Sequence, residues 1–195
     1  ASTQPAYISI YDLDIARFVN GSESFTVVLQ KREAVEQEQT FLSIGAQDGW
    51  ILEANENADK GGTMNANTAT VFIGDTAANK QYVGFLSFDT SSLPDDAIIT
   101  SVTLKVKSAG KAGTLPFKTH RGLFADVQAS YFGTTPKLQL GDFKIEAGGM
   151  LGAQFSPALL NGFYVASFPT PAFLNFDTTD HTQIRMRFKL DDNND

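Results

Sequence analysis

The sequence predicts an all-β fold, an antiparallel β-sandwich or jelly roll with few short helical turns. Three observations carry that expectation. Apolar and polar residues alternate with a period of two along most of the chain, the alternating runs are short and recur regularly, and Gly, Asn, Asp, Ser and Pro gather between them.

In chain order, AYISIYDLDIARFV (6–19) and ESFTVVLQ (23–30) read as a strand pair. Tyr7, Ile8, Ile10, Phe25 and Val27 are the side chains this pair offers to a core. KREAVEQEQ (31–39) is charged and Gln-rich without a wide apolar stripe, so 31–47 reads as a linker or short surface helix between the pair and a body spanning 48–195. Within the body, GWILEA (49–54), ATVFIG (69–74), GLFADVQA (122–129), FYVASF (163–168) and AFLNF (172–176) are further strand candidates. YVGFLSFD (82–89) is apolar on both faces and belongs near the middle of a sheet. In SVTLKVK (101–107), Val102, Leu104 and Val106 point inward while Thr103, Lys105 and Lys107 point outward. IRMRFKL (184–190) repeats this, with Ile184, Met186, Phe188 and Leu190 on a dry face and Arg185, Arg187 and Lys189 on a wet one. SPALLNG (156–162) offers a helical turn with Pro157 at its first position. The turns between the strands include NADKGG, GDTAANK, SSLPDD and SAGKAG.

Bulk composition narrows the function. With 195 residues, 42% hydrophobic and 11% aromatic, one large domain can form, burying roughly 70% of its unfolded surface. A net charge of −7 with no basic run argues against nucleic acid or anionic membrane as partner. The chain has no cysteine, hence no disulfide and no thiolate metal site. No apolar run reaches the ~18 residues of a membrane-crossing helix. A first residue of Ala1 rather than Met suggests either a mature product whose leader has been removed or a chain trimmed by hand, and the expected location is extracellular or cell-surface.

Catalytic signatures are absent. The histidines, His120 in KTHRG and His181 in TTDHTQ, read as solvated loop residues. There is no Gly-x-Ser-x-Gly elbow, no Walker loop and no dinucleotide glycine fingerprint, since EAGGMLGA (146–153) lies in a loop-like stretch. The expectation is a non-catalytic protein. Two acidic clusters, LDDNND with Asp191, Asp192, Asn193 and Asp195, and YDLD with Asp12 and Asp14, offer the hard oxygen ligands of a calcium site, though neither follows the twelve-residue EF-hand pattern. Trp50, Tyr131 and Tyr164 are candidate glycan contacts, while most of the 16 Phe must be core.

The stretch DGWILEANENADKGGTMNANTATVFIGDTAANKQYVGFLSFDTSSLPDDAIITSVTLKVK (48–107) resembles the opening half of the DNRLRE-type domains. These secreted β-sandwich modules include alginate-type carbohydrate-binding modules and a disaggregatase-related domain. The matching features are the first strand with Trp50, Gly74–Asp75, LSFDTSSLP (86–94) and ITSVTLKVK. The likeness continues through THRGLFADVQASYFG and LQLGDF to RMRFKLDDNND. It implies a module appended to surface proteins, with carbohydrate binding as one function. The order of strands departs from the family. There, an LDDN-like turn is followed by two closing strands, whereas here residues 6–30 look like that pair moved to the front. Three situations fit: a permuted strand pair folding back in cis, a pair donated head-to-tail to another copy, or one period of a tandem array. The leading expectation is a structural or adhesive module of an extracellular prokaryotic assembly, a filament subunit or repeat joined by strand exchange, with polysaccharide binding as the alternative. The two chain ends would then meet, with the acidic clusters sharing one calcium site.

Overall fold

Strand β4 (Gln81–Asp89) is buried along most of its length on both faces, so it can only lie inside a sheet. The computed structural model describes residues 35–113, 116–145, 147 and 152–192. In it β4 is flanked by β1 (Gly49–Glu53) and β9 (His181–Phe188), and every pairing is antiparallel. β2 (Gly61–Asn65) extends the sheet beyond β1, β6 (Leu123–Ala129) and β7 (Ala153–Gln154) extend it beyond β9, and β3 (Gly74–Asp75) pairs with the start of β4. A second sheet holds β5 (Thr103–Lys107) and β8 (Phe163–Ser167). The chain divides after Glu38, and Gln39–Asp195 forms one compact unit. The end of the stretch read as a linker is tied to the body, since Ile44 N donates to Ser87 O at 2.8 Å and Asp48 Oδ1 accepts from Ser87 N at 2.9 Å. The fold is the expected all-β sandwich.

Register explains how the large sheet carries two cores. Trp50, Gly84, Met186 and Ala125 lie side by side in one row across β1, β4, β9 and β6. Their face packs through Leu86, Val127, Ile184 and Phe188 against Leu104, Ala166 and Phe168 of the second sheet and its exit. The next row, Phe85, Arg185 and Asp126, points the other way. That face is roofed by the segment after β6, whose Phe132, Leu138 and Phe143 pack on Ile51, Val83 and Phe85.

Several expectations are corrected. The wet face of the last strand is not wet at Arg185, which is 6% exposed beneath that roof. AFLNF is not a strand but part of a 3-10 turn (Thr170–Asn175), because Pro171 sits in its first turn with a fixed φ and no N–H to give a ladder. ATVFIG contributes only Gly74 to a strand. Thr68 Oγ1 accepts from Thr70 N and donates to Thr70 O, a local exchange that competes with pairing, while Val71 and Ile73 instead cover the bare Cα of Gly84. SPALLNG is no helix. Asn161 (φ 51°) and Gly162 (φ 86°) make a tight hairpin turn between Leu160 and Phe163. β2 forms inside a stretch read as a turn because its glycines permit close packing: a Cβ on Gly62 would stand 2.4 Å from Ala54 Cα.

Candidate functional site

β5 has the alternation its sequence predicts, with Leu104 buried and Thr103, Lys105 and Lys107 exposed. It pairs residue for residue with β8, from Thr103 opposite Ser167 to Lys107 opposite Phe163. The far edge of β8 is engaged by the chain leaving β7, where Ser156 N donates to Val165 O at 2.9 Å and Phe155 bridges to Ala166. Among the described residues nothing pairs with the far edge of β5. A sheet edge of this kind presents a row of backbone donors and acceptors to any extended chain, and Lys105 and Lys107 are the charge that ordinarily guards it. The side chains read from sequence as donors to a core, Tyr7, Ile8, Ile10, Phe25 and Val27, lie outside the described residues.

Of the six acidic-cluster positions, Asp12, Asp14, Asn193 and Asp195 lie outside the described residues. Asp191 is exposed and Asp192 buried, and Asp191 Oδ1 accepts from Asp192 N at 3.2 Å. Among the described residues no group of three or more His, Asp and Glu is placed to hold a metal ion.

The three aromatics proposed as glycan contacts sit on different elements with separate partners. Trp50 stacks with Tyr82 (5.1 Å, edge-on) and with Phe72 (5.7 Å), and Phe72 is half exposed. Tyr131 follows β6 and donates its hydroxyl to Asp180 Oδ2 at 2.8 Å. Tyr164 on β8 packs on Phe117 at 4.9 Å and joins the core between the sheets.

Polar side chains that sequence reading passed over are more tightly organised. Asp126 Oδ2 accepts from Arg185 Nη2 at 3.1 Å and Arg187 Nε at 2.8 Å, while Arg185 Nη1 donates to Ile145 O at 2.6 Å and its guanidinium lies 4.7 Å above the Phe132 ring. At the start of β9, His181 Nδ1 and the Tyr131 hydroxyl both bind Asp180 and hold its carboxyl below the usual range. The same contact raises the Tyr131 phenol. Burial pushes the Asp177 carboxyl up, but hydrogen bonds from Thr179, Ser130 and Asp180 outweigh it and leave it lowered. Neither histidine is a solvated loop residue, since His120 is 2% exposed and His181 belongs to β9. Only spatial proximity reveals these groups, because Asp126 and Arg185 are 59 residues apart. A cleft of about 200 Å³, lined by Lys60, Gly61, Leu140, Gly141 and Lys144, is smaller than an ordinary small-molecule site.

No family model, curated protein or solved structure matches the chain.

Proposed function

We propose that the chain is a non-catalytic structural or adhesive module of an extracellular prokaryotic surface assembly, joined to copies of itself by strand exchange. The observation that carries this reading is the two-stranded sheet whose β5 edge has no partner among the described residues, set against a sheet of seven strands. The occupant is residues 6–30 of another copy, a segment of strand-like alternation. Its Asp12 and Asp14 oppose Lys105 and Lys107 in charge, which favours encounter. Burying several of Ile8, Ile10, Phe25 and Val27 would contribute on the order of 10 kcal/mol before ordering costs. The likeness to secreted DNRLRE-type modules supports the same placement outside the cell.

Light scattering and negative-stain electron microscopy on the full chain, beside a chain lacking residues 1–30, test it. Filaments or head-to-tail oligomers from the full chain, lost on deletion, are expected. A clean monomer whose first thirty residues resist proteolysis would sink the proposal in favour of closure in cis.

A second reading, a carbohydrate-binding module, is favoured by the Trp50–Tyr82–Phe72 cluster with its exposed Phe72 edge. Binding on a glycan array that Phe72→Ala abolishes would support it, and silence on the array would remove it.

A further inference from the structure

The two ends of the Gln39–Asp195 unit differ in charge, and each carries apolar side chains in the open. At one end β4 finishes at Asp89 opposite the first residue of β9, His181, and β6 finishes at Ala129 opposite Thr182. The chain stretches here are stitched to the strands and to one another. Ser43 bridges to Phe88, Thr90 N donates to Asp180 O at 3.0 Å, Phe168 N to Val102 O at 3.0 Å, and Ser130 Oγ to Asp177 Oδ2 at 2.9 Å. Residues 39–48, 89–102, 130–135 and 168–181 lie at this end, and they contain no Lys or Arg. Their carboxylates include Asp95 and Asp96, both exposed, and Asp89, Asp177 and Asp180, held by local hydrogen bonds. Among them Leu42, Ile98 and Leu174 are 85%, 86% and 91% exposed, the barest large apolar side chains among the described residues. A lone exposed leucine needs no explanation. Three on separate stretches of one end, with acidic residues around them and no cation, have the makeup of an association surface.

The opposite end has the opposite sign on one side. There β9 runs out at Phe188 opposite Leu123, where β6 begins. The described part of the chain between β5 and β6 lies beside it, with Leu190 N donating to His120 O at 3.0 Å and Phe117 packed on Tyr164 of β8 at 4.9 Å. From residue 107 to residue 122 the sequence holds Lys107, Lys111, Lys118 and Arg121 and no carboxylate. The Asn161–Gly162 hairpin turn adjoins this stretch, since Ser108 N donates to Gly162 O at 3.0 Å, and its Leu159 and Leu160 are 50% and 61% exposed.

We propose that these two ends are the halves of a body-to-body contact between copies of the chain. The acidic end of one copy, around Leu42, Ile98 and Leu174, seats on the basic side of the next, around Leu159 and Leu160. The halves are unlike, so the contact is heterologous and repeats head to tail. Whole copies each carry −7 and repel, and ends of opposite local sign overcome that repulsion in one orientation only. The choice of a second copy as occupant rests on the strand-exchange reading. Gln39 Nε2 donates to Ser92 Oγ at 2.7 Å, so the body begins at the acidic end. Only residues 31–38 separate it from the donated pair, a reach of at most about 29 Å fully extended. A copy that receives residues 6–30 along β5 is therefore held near the donor's acidic end, and its β5 runs out at Lys107 into the basic stretch. Tether and charge select the same neighbour.

The chain has no cysteine, so cross-linking of the full chain tests the contact. Leu174→Cys and Leu160→Cys, both at exposed positions, are mixed and treated with a short bis-maleimide. Links between positions 174 and 160 are expected to the near exclusion of 174–174 and 160–160 links. Charge reversal reads the rim. Asp95→Lys with Asp96→Lys, or Lys111→Glu with Lys118→Glu, should each slow association about tenfold at low salt, and an equimolar mixture of the two variants should restore the wild-type rate. Equal amounts of the three links, no link between 174 and 160, or a mixture no faster than either variant alone overturns the proposal. If the chain still assembles under those results, strand exchange stands without the end-to-end contact. A 174–160 link in a chain whose residues 1–30 resist proteolysis keeps the contact and removes the exchange.

Discussion

Replacing Asp126 by Ala should be among the costliest changes in the molecule. The carboxylate sits on β6 directly opposite Arg185 on β9, its side chain 8% exposed, and both neighbouring guanidinium groups donate to its Oδ2. Removing it takes that carboxylate from Arg185, whose side chain is 7% exposed and also meets the carbonyls of Phe143 and Ile145 and the face of Phe132. Breaking a buried pair from one side costs about 3–5 kcal/mol, because the surviving charge stays desolvated. Arg187 is a different case. At 42% side-chain exposure it can turn to water, so Arg187→Ala should cost at most about 1 kcal/mol. In urea, with a slope of about 2 kcal/mol per M, the Asp126→Ala loss moves the midpoint down by roughly 1.5–2.5 M. Fluorescence of the single Trp reports it.

The double variant Asp126→Leu with Arg185→Met should recover most of the loss, since apolar side chains of similar volume need no desolvation. Hydrogen exchange localises the effect. The Phe132 amide, which donates to Gln183 Oε1 at 2.9 Å, should exchange faster in Asp126→Ala as the roof lifts. A midpoint within about 0.5 M of wild type, or a larger loss from Arg187→Ala, would show that the ion cluster does not hold the roof.

Three further changes probe other parts of the unit. Burial raises the Asp142 carboxyl, whose Oδ2 accepts from Gln139 N at 2.8 Å while Oδ1 has no hydrogen-bond partner. Its folded state therefore favours the protonated form, a stabilisation complete below the unfolded pKa of about 3.9 and lost as pH rises through the raised value. Asp142→Asn should gain about 1 kcal/mol at pH 7 and flatten the dependence of the urea midpoint on pH above 4. Gly62→Ala, driven against backbone at Ala54, should cost about 1–3 kcal/mol in the same assay, whereas Gly141→Ala, with nothing within 4 Å of the new Cβ, should stay within about 0.5. Tyr131→Phe removes a donor from the lowered Asp180 carboxylate, a stabilisation present above the unfolded pKa and lost as pH falls through the folded one. The stability difference from wild type should be small at pH 6, a few tenths of a kcal/mol after solvent screening, and vanish below about pH 3.

The sequence displays what lies along a strand and conceals what lies across it. β4, β5, β6 and β8 are legible because alternation and bulk declare them, and Leu104 and Val106 sit where period-two reading puts them. The arginines of β9 defeat that reading. Arg185 and Arg187 look equivalent in sequence, yet one is buried because Asp126 and a roof from residues 130–145 arrive from elsewhere. The Asn161–Gly162 hairpin was signalled by its dipeptide, which the apolar Ala158–Leu160 obscured. β2 carried no such signal, since glycine reads as a turn whether it bends the chain or lets two backbones approach. The His120–Asp75 pair joins residues 45 positions apart and was beyond any pattern along the chain.

The two faces of the large sheet are closed by unlike means, and this separates stability from assembly. One face is roofed by a loop pinned through Arg185. The other rests on a sheet of two strands, one edge of which is engaged and one unpaired among those residues. A strand added beside β5 would extend the second sheet without disturbing the Arg185 cluster, which lies on the opposite face of the large one. Loss of Asp126 should then lower the unfolding midpoint while leaving self-association intact in buffer, and deletion of residues 1–30 should do the reverse. If both changes abolished assembly and stability together, edge and roof would be one cooperative structure, and the exchange model would lose its reason to place the junction at β5.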